Sequence, residues 1–142
     1  MSTQYALLGL HNELVLRAIA RTVRHLGYEV KGTASLEEML RSIEERKREE
    51  ERLPPFTLYV MDLNLDMPAQ ETIAPAQEVY QQIKKDIEEG RARFYGVSGD
   101  SSVVEMGRQA GLEGLTAVET PSLHHRLTQD LKEGDSGTSR LN

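Results

Sequence analysis

The sequence predicts an α/β fold built on a five-stranded parallel sheet. Five short apolar runs alternate strictly with five amphipathic segments along the chain. Gly and Pro punctuate the boundaries between them. The third apolar run, Phe56 to Met61, leads straight into a lone carboxylate, Asp62, and then a loop. Strict alternation of this kind implies a parallel sheet with helices on both faces. In such sheets the functional crevice lies at the carboxyl ends of the strands.

Each element has its own signal. Tyr5 to Leu10 is an apolar run long enough for a buried strand. From Asn12 onward, Val15, Ile19, Val23 and Leu26 recur every three or four residues, as on one face of a helix. Gly27 is placed to stop that helix. Tyr28 to Gly32 is a short second strand with a weak signal. Ser35 and Glu38 form a capping box, and Leu36, Met39, Leu40 and Ile43 give the second helix its apolar side. Glu44 to Arg52 contains no apolar residue. Its i,i+4 charge pairs, Arg41–Glu45 and Glu44–Arg48, predict a helix running on into solvent until Pro54-Pro55 ends it.

Phe56 to Met61 is the central strand, and Leu63 to Ala74 a long loop containing Pro68. A clear helix follows, with Pro75 in its first turn, Ala76, Val79, Tyr80, Ile83 and Ile87 on one face, and Gly90 after it. Ala92 to Val97 is the fourth strand. Ser102 and Glu105 suggest a capping box for a short helix ending near Gly111. Leu115 to Val118 is the fifth strand. Thr120 and Pro121 suit the first positions of a last helix lined by Leu123, Leu127 and Leu131. Right-handed crossovers leave few topologies, and five such units predict the flavodoxin-like order 2-1-3-4-5.

Composition bounds the rest. The 142 residues fit one domain, expected over residues 1–132, with a small, polar, disordered tail over 133–142. With no Trp and only two Phe, the core must be aliphatic. A formal net charge of -6 argues against nucleic acid as the main partner. The absence of cysteine removes disulfides, thiolate metal sites and a Cys nucleophile, and fits a reducing, cytoplasmic setting. No apolar run approaches the ~20 residues of a membrane span, and the N-terminus reads as a first strand, not a signal peptide. Neither a G-x-x-x-x-G-K-[ST] phosphate loop nor a G-x-G-x-x-G motif is present. No Ser-His-Asp set is supported at the strand ends, so the chain is expected not to be an enzyme in the ordinary sense.

From about Tyr5 to Leu131 the chain resembles a response-regulator receiver domain. LRAIARTVRHLGYEV is similar to that family's first helix and second strand. MDLN resembles its phospho-acceptor strand end, GVSG its fourth strand with a hydroxyl residue, and Thr120-Pro121 stands where the family has Lys-Pro. The resemblance implies that Asp62 is the phospho-acceptor, attacking a phosphoryl group carried by a histidine kinase, a phosphotransfer protein or a small phosphodonor. Ser98 then matches the hydroxyl that bonds the phosphoryl group, and Asn64 the residue whose backbone carbonyl helps to hold Mg²⁺. Output would pass to a downstream effector by protein contact.

The same resemblance exposes departures. The family's acidic pair after the first strand falls on Leu10-His11 or His11-Asn12, and Glu13 is the nearest acid. Asp62, Asn64 and Glu13 are therefore the candidate Mg²⁺ ligands, and they predict weak binding, because Asp62 alone is a poor site for a cation that prefers oxygen and His11 offers it a nitrogen. Thr120 replaces the lysine. A unit charge ~4 Å from another is worth about 4 kcal/mol at an effective dielectric of about 20, so its loss costs phosphorylation much of its driving force. Ala117 stands in the place of the aromatic switch residue. His11 is expected to face solvent at the helix entry, and His124 and His125 to be solvated. Asp66 and Asp100 are expected in loop and cap roles. The expected function is a stand-alone atypical receiver in signal transduction, with Asp62 as the candidate site of phosphorylation; the alternative is a pseudo-receiver, an interaction module that is never phosphorylated.

Overall fold

The computed structural model describes the backbone of residues Thr3–Leu141 and the side chains as far as Lys132. The elements are β1 (Gln4–Gly9), α1 (Glu13–His25), β2 (Tyr28–Thr33), α2 (Leu36–Arg48), β3 (Phe56–Asp62), α3 (Ala74–Glu88), β4 (Arg93–Ser98), α4 (Ser101–Gln109), β5 (Leu115–Glu119) and α5 (Thr120–Leu141). All strand pairings are parallel, and the sheet order is β2-β1-β3-β4-β5. This is the expected flavodoxin-like arrangement.

The continuous apolar runs exist because both faces of the sheet are covered. In β1 and β3, Ala6, Leu8, Leu58 and Val60 face one core, which Ile19 and Val23 of α1 and Leu123 and Leu127 of α5 complete. Leu7, Tyr59 and Met61 face the other, against Met39 and Ile43 of α2, Val79 and Ile83 of α3, and Val103 and Val104 of α4. Successive strand residues point to opposite faces, so every residue of these runs is buried. β2 lies at the sheet edge and is half exposed, which is why its apolar signal is weak. Gly27, with φ +98°, supplies the left-handed residue that closes α1.

Several boundaries differ from expectation. The Ser35 side chain accepts the Glu38 N–H at 3.2 Å, as the capping box predicts. The charged run after Ile43, however, ends as a helix at Arg48, capped by Glu49 and followed by turns, before Pro54-Pro55 is reached. Nor is it wholly solvated. The Arg46 guanidinium lies 5.0 Å from the Tyr5 ring centroid and 4.3 Å from that of Phe56, and it also donates to the Pro54 carbonyl. Lys47 reaches the Gln82 carbonyl on α3 at 2.6 Å. Long cationic side chains cover apolar surface with their stems, which a period-based reading cannot detect. Arg41 pairs with Glu37, not Glu45, whose partner is Lys31. α4 is capped by Asp100, which accepts the Ser102 N–H at 2.8 Å, so Ser102 is inside the helix and not its cap. His124 is not simply solvated: its Nδ1 lies 2.7 Å from Thr22 Oγ1 and ties α5 to α1. The expected disordered tail over 133–142 falls on the end of α5. There the helical backbone continues through Leu141, and the side chains lie outside the described residues.

Candidate functional site

Strand register decides what meets Asp62. β1 and β3 are neighbours, with Gly9 opposite Met61. The residues just beyond therefore converge above the sheet. The chain leaves β1 at Leu10, turns at His11, and enters α1 at its cap, Asn12, whose Oδ1 accepts the Val15 N–H at 3.1 Å. This turn delivers His11 directly onto Asp62. The His11 backbone N–H donates to Asp62 Oδ2 at 2.9 Å, and His11 Nδ1 lies 2.6 Å from the same oxygen. The neutral tautomer protonated on Nδ1 and the imidazolium both present a donor there. A bond this short to a carboxylate is charge-assisted. Asp62 is 7% exposed, so its charge must be satisfied locally. His11 does this while its side chain stays 46% exposed, so it faces solvent at the helix entry as expected and in addition pairs with Asp62.

Asp62, Asn64, Ser98 and Thr120 line one open cleft of about 730 Å³, together with His11 and Pro68. Of the five predicted site residues, four are brought together. Glu13 is not: it is paired with Arg17 at 2.6 Å, its side chain is 73% exposed, and it does not line the cleft. It is placed as a first-turn helix acid in solvent.

The neighbours of Asp62 are engaged in holding the cleft's own walls. Asn64 is buried, and its Nδ2 donates to the Met67 and Gln70 carbonyls at 3.1 and 3.0 Å. Its own carbonyl accepts the Met67 N–H at 2.8 Å. Asn64 thus folds the β3–α3 loop back on itself. Asp66 adopts φ 74°, which Asp tolerates better than most residues, and its Oδ2 accepts the Leu36 N–H at the start of α2. Ser98 Oγ accepts the Asp100 N–H at 3.0 Å and shapes the turn into α4. Asp66 and Asp100 therefore have the loop and cap roles expected of them.

This donor set does not fit Mg²⁺. A hard cation needs oxygen ligands and, in sites of this kind, one or two carboxylates. Here one oxygen of Asp62, Oδ2, already accepts two donors from His11, and the other carboxylate lining the cleft, Asp100, is engaged in capping α4. The neighbouring positions offer a leucine, an imidazole and an asparagine committed to capping. Among the described residues no three or more His, Cys, Asp or Glu are grouped to hold a metal ion.

Comparison with solved structures supports the architecture. The chain superimposes on a response regulator receiver domain protein from Clostridium thermocellum with a TM-score of 0.64, covering 98% of this chain and 99% of that one at 14% identity. The fold is that of a receiver domain. It also matches a de novo designed Rossmann 2x3 fold protein with a TM-score of 0.57, at 12% identity over 94% of this chain and 92% of the design. Likeness of fold does not by itself carry a function. No protein-family model matches the chain, and no curated protein matches it. No described helix is long and apolar enough to cross a membrane.

Proposed function

We propose that this chain is a receiver-like signalling module that acts by protein contact, with Asp62 held by His11 in place of a metal ion and not serving as a phosphoryl acceptor. The observation that carries the proposal is the double donation from His11 to Asp62 Oδ2. Two hydrogen bonds to Oδ2 draw charge from the carboxylate and weaken it as a nucleophile, although Oδ1 accepts no hydrogen bond among the described residues. Thr120 beside it offers one neutral hydrogen bond where a lysine would offer a charge. In this reading the crevice is a structural keystone, and the surface around β5 and α5 is held in one state. Ligands shift an equilibrium only through differential affinity for its states. With Ala117 and Thr120 in the switch positions, Asp62 has little leverage over that surface.

The second reading is an atypical phospho-acceptor, supplied by a histidine kinase or a phosphotransfer protein in the cytoplasm. It is favoured by the gathering of Asp62, Asn64, Ser98 and Thr120 in one cleft. Incubation with a small phosphodonor and Mg²⁺, read by intact mass, separates the two. The expected result is an unchanged mass. A gain of one phosphoryl group that disappears in Asp62→Asn would establish the second reading.

A further inference from the structure

A second groove, of about 600 Å³, lies between α1 and the edge strand β2. It shares no lining residue with the Asp62 cleft. Its apolar part is Leu16, Ala20 and Val30, and its rim is Arg17, Arg21 and Arg24, with His25 at the far end. Among the described residues no carboxylate lines it, although the chain as a whole carries a net charge of -6. Arg17 is partnered by Glu13. Arg21 and Arg24 make no ion pair or side-chain hydrogen bond among the described residues, and both are exposed. The charge of Arg21 and Arg24 on this wall is therefore uncompensated among the described residues, in a chain whose net charge is -6.

The other wall is the sheet edge. β2 pairs with β1 on one side, and among the described residues no strand pairs with its outer side. An edge strand presents a row of backbone N–H and C=O groups that an extended segment can match. Along β2, Val30 packs toward α1, while Lys31 reaches Glu45 on α2. The α1 side of the edge is thus apolar and cationic together.

We propose that this groove binds an extended acidic segment of a partner protein, laid along β2 with its carboxylates on Arg21 and Arg24 and its apolar side chains on Leu16 and Val30. Strand addition supplies main-chain hydrogen bonds, and the alternating side chains supply selectivity. Arg forks match carboxylates in bidentate geometry. The apolar floor favours a peptide over nucleic acid, whose backbone offers no matching side chains. The concave shape favours it over a flat membrane surface. The site is independent of the state of Asp62.

Fluorescence anisotropy of the full chain with a labelled peptide of Glu-Ser-Val-Ser repeats, which sets Glu and Val in turn on the one face turned to α1, tests this. Saturable binding is expected, weakening as salt screens the charges. Arg21→Glu with Arg24→Glu should weaken it by about tenfold or more, and Arg21→Gln with Arg24→Gln by less. Reversing the same charge on α2, with Arg41→Glu and Arg48→Glu, should leave it within about twofold. Circular dichroism establishes that the variants are folded, as exposed substitutions usually leave stability within about 0.5 kcal/mol. The proposal is overturned if the wild type does not bind the peptide, or if the same peptide with Lys in place of Glu binds as well. It is also overturned if the α2 variant loses as much as the α1 variant. Tighter binding of a thymidine oligonucleotide or of phosphatidylserine vesicles through the same arginines would reassign the groove and overturn it too.

Discussion

Leu63→Ala should destabilise this protein by about 3–5 kcal/mol, at the upper end of what a buried Leu-to-Ala change costs. Leu63 follows Asp62 immediately and is fully buried. Its N–H continues the sheet ladder to the Val97 carbonyl at 2.8 Å, and its carbonyl accepts the Ala76 N–H at the start of α3. Its side chain fills the space above two glycines: a Cβ added at Gly96 or at Gly107 would meet it. Neighbours without side chains cannot move in to fill the vacated volume, so the cavity stays open. For a chain of this size the loss corresponds to a fall in Tm of roughly 10–15 °C. Thermal unfolding followed by circular dichroism measures it. A fall of only a few degrees would mean that the region collapses around the gap.

The second large effect concerns charge. His11→Asp combined with Thr120→Lys should turn a cleft that does not take Mg²⁺ into one that does. Without metal, the two close carboxylates in the variant repel each other by up to about 4 kcal/mol before the side chains relax. Its Tm should therefore fall below that of the wild type. Mg²⁺, which the two carboxylates would hold, should then restore stability. At about one hundred times the dissociation constant, a ligand that binds only the folded state stabilises by about 2.7 kcal/mol. Thermal unfolding at constant ionic strength, with Mg²⁺ varied against Na⁺, reads the difference. The wild type should show no Mg²⁺-specific rise in Tm. Equal Mg²⁺ dependence in both proteins would show that His11 does not keep the cation out.

The fold was legible because its signals are local. Runs such as Ala6–Leu8 and Leu58–Met61 are apolar at every position, which only a sheet covered on both faces explains. The helices announced themselves through spacing, the cap at Ser35 and the stop at Gly27, whereas the cap at Asn12 emerged only in the structure. The site was half legible. Asp62, Ser98 and Thr120 sit at strand ends or helix starts, so topology alone brings them together. The His11–Asp62 pair spans 51 residues of sequence and depends on register, which propensity does not encode. A signal existed: with β1 beside β3, the residue two past the end of β1 falls over the end of β3. Glu13, one turn into α1, is carried away from the cleft by the helical rotation. The packing of Arg46 on Tyr5 and Phe56 was illegible for a similar reason, since the partners lie far away in the chain.

The account rests on His11, and not a cation, holding the Asp62 carboxylate. Its most direct test is a Mg²⁺ titration of the wild-type chain followed by ¹⁵N–¹H correlation spectra. The His11 backbone amide, hydrogen-bonded to Asp62 Oδ2, reports on the carboxylate itself. The account predicts that its resonance stays in place through millimolar Mg²⁺, and that it moves in Asp62→Asn without any metal. A saturable shift of the His11 amide with Mg²⁺, absent in Asp62→Asn, would show that the cation displaces the imidazole and would contradict the account.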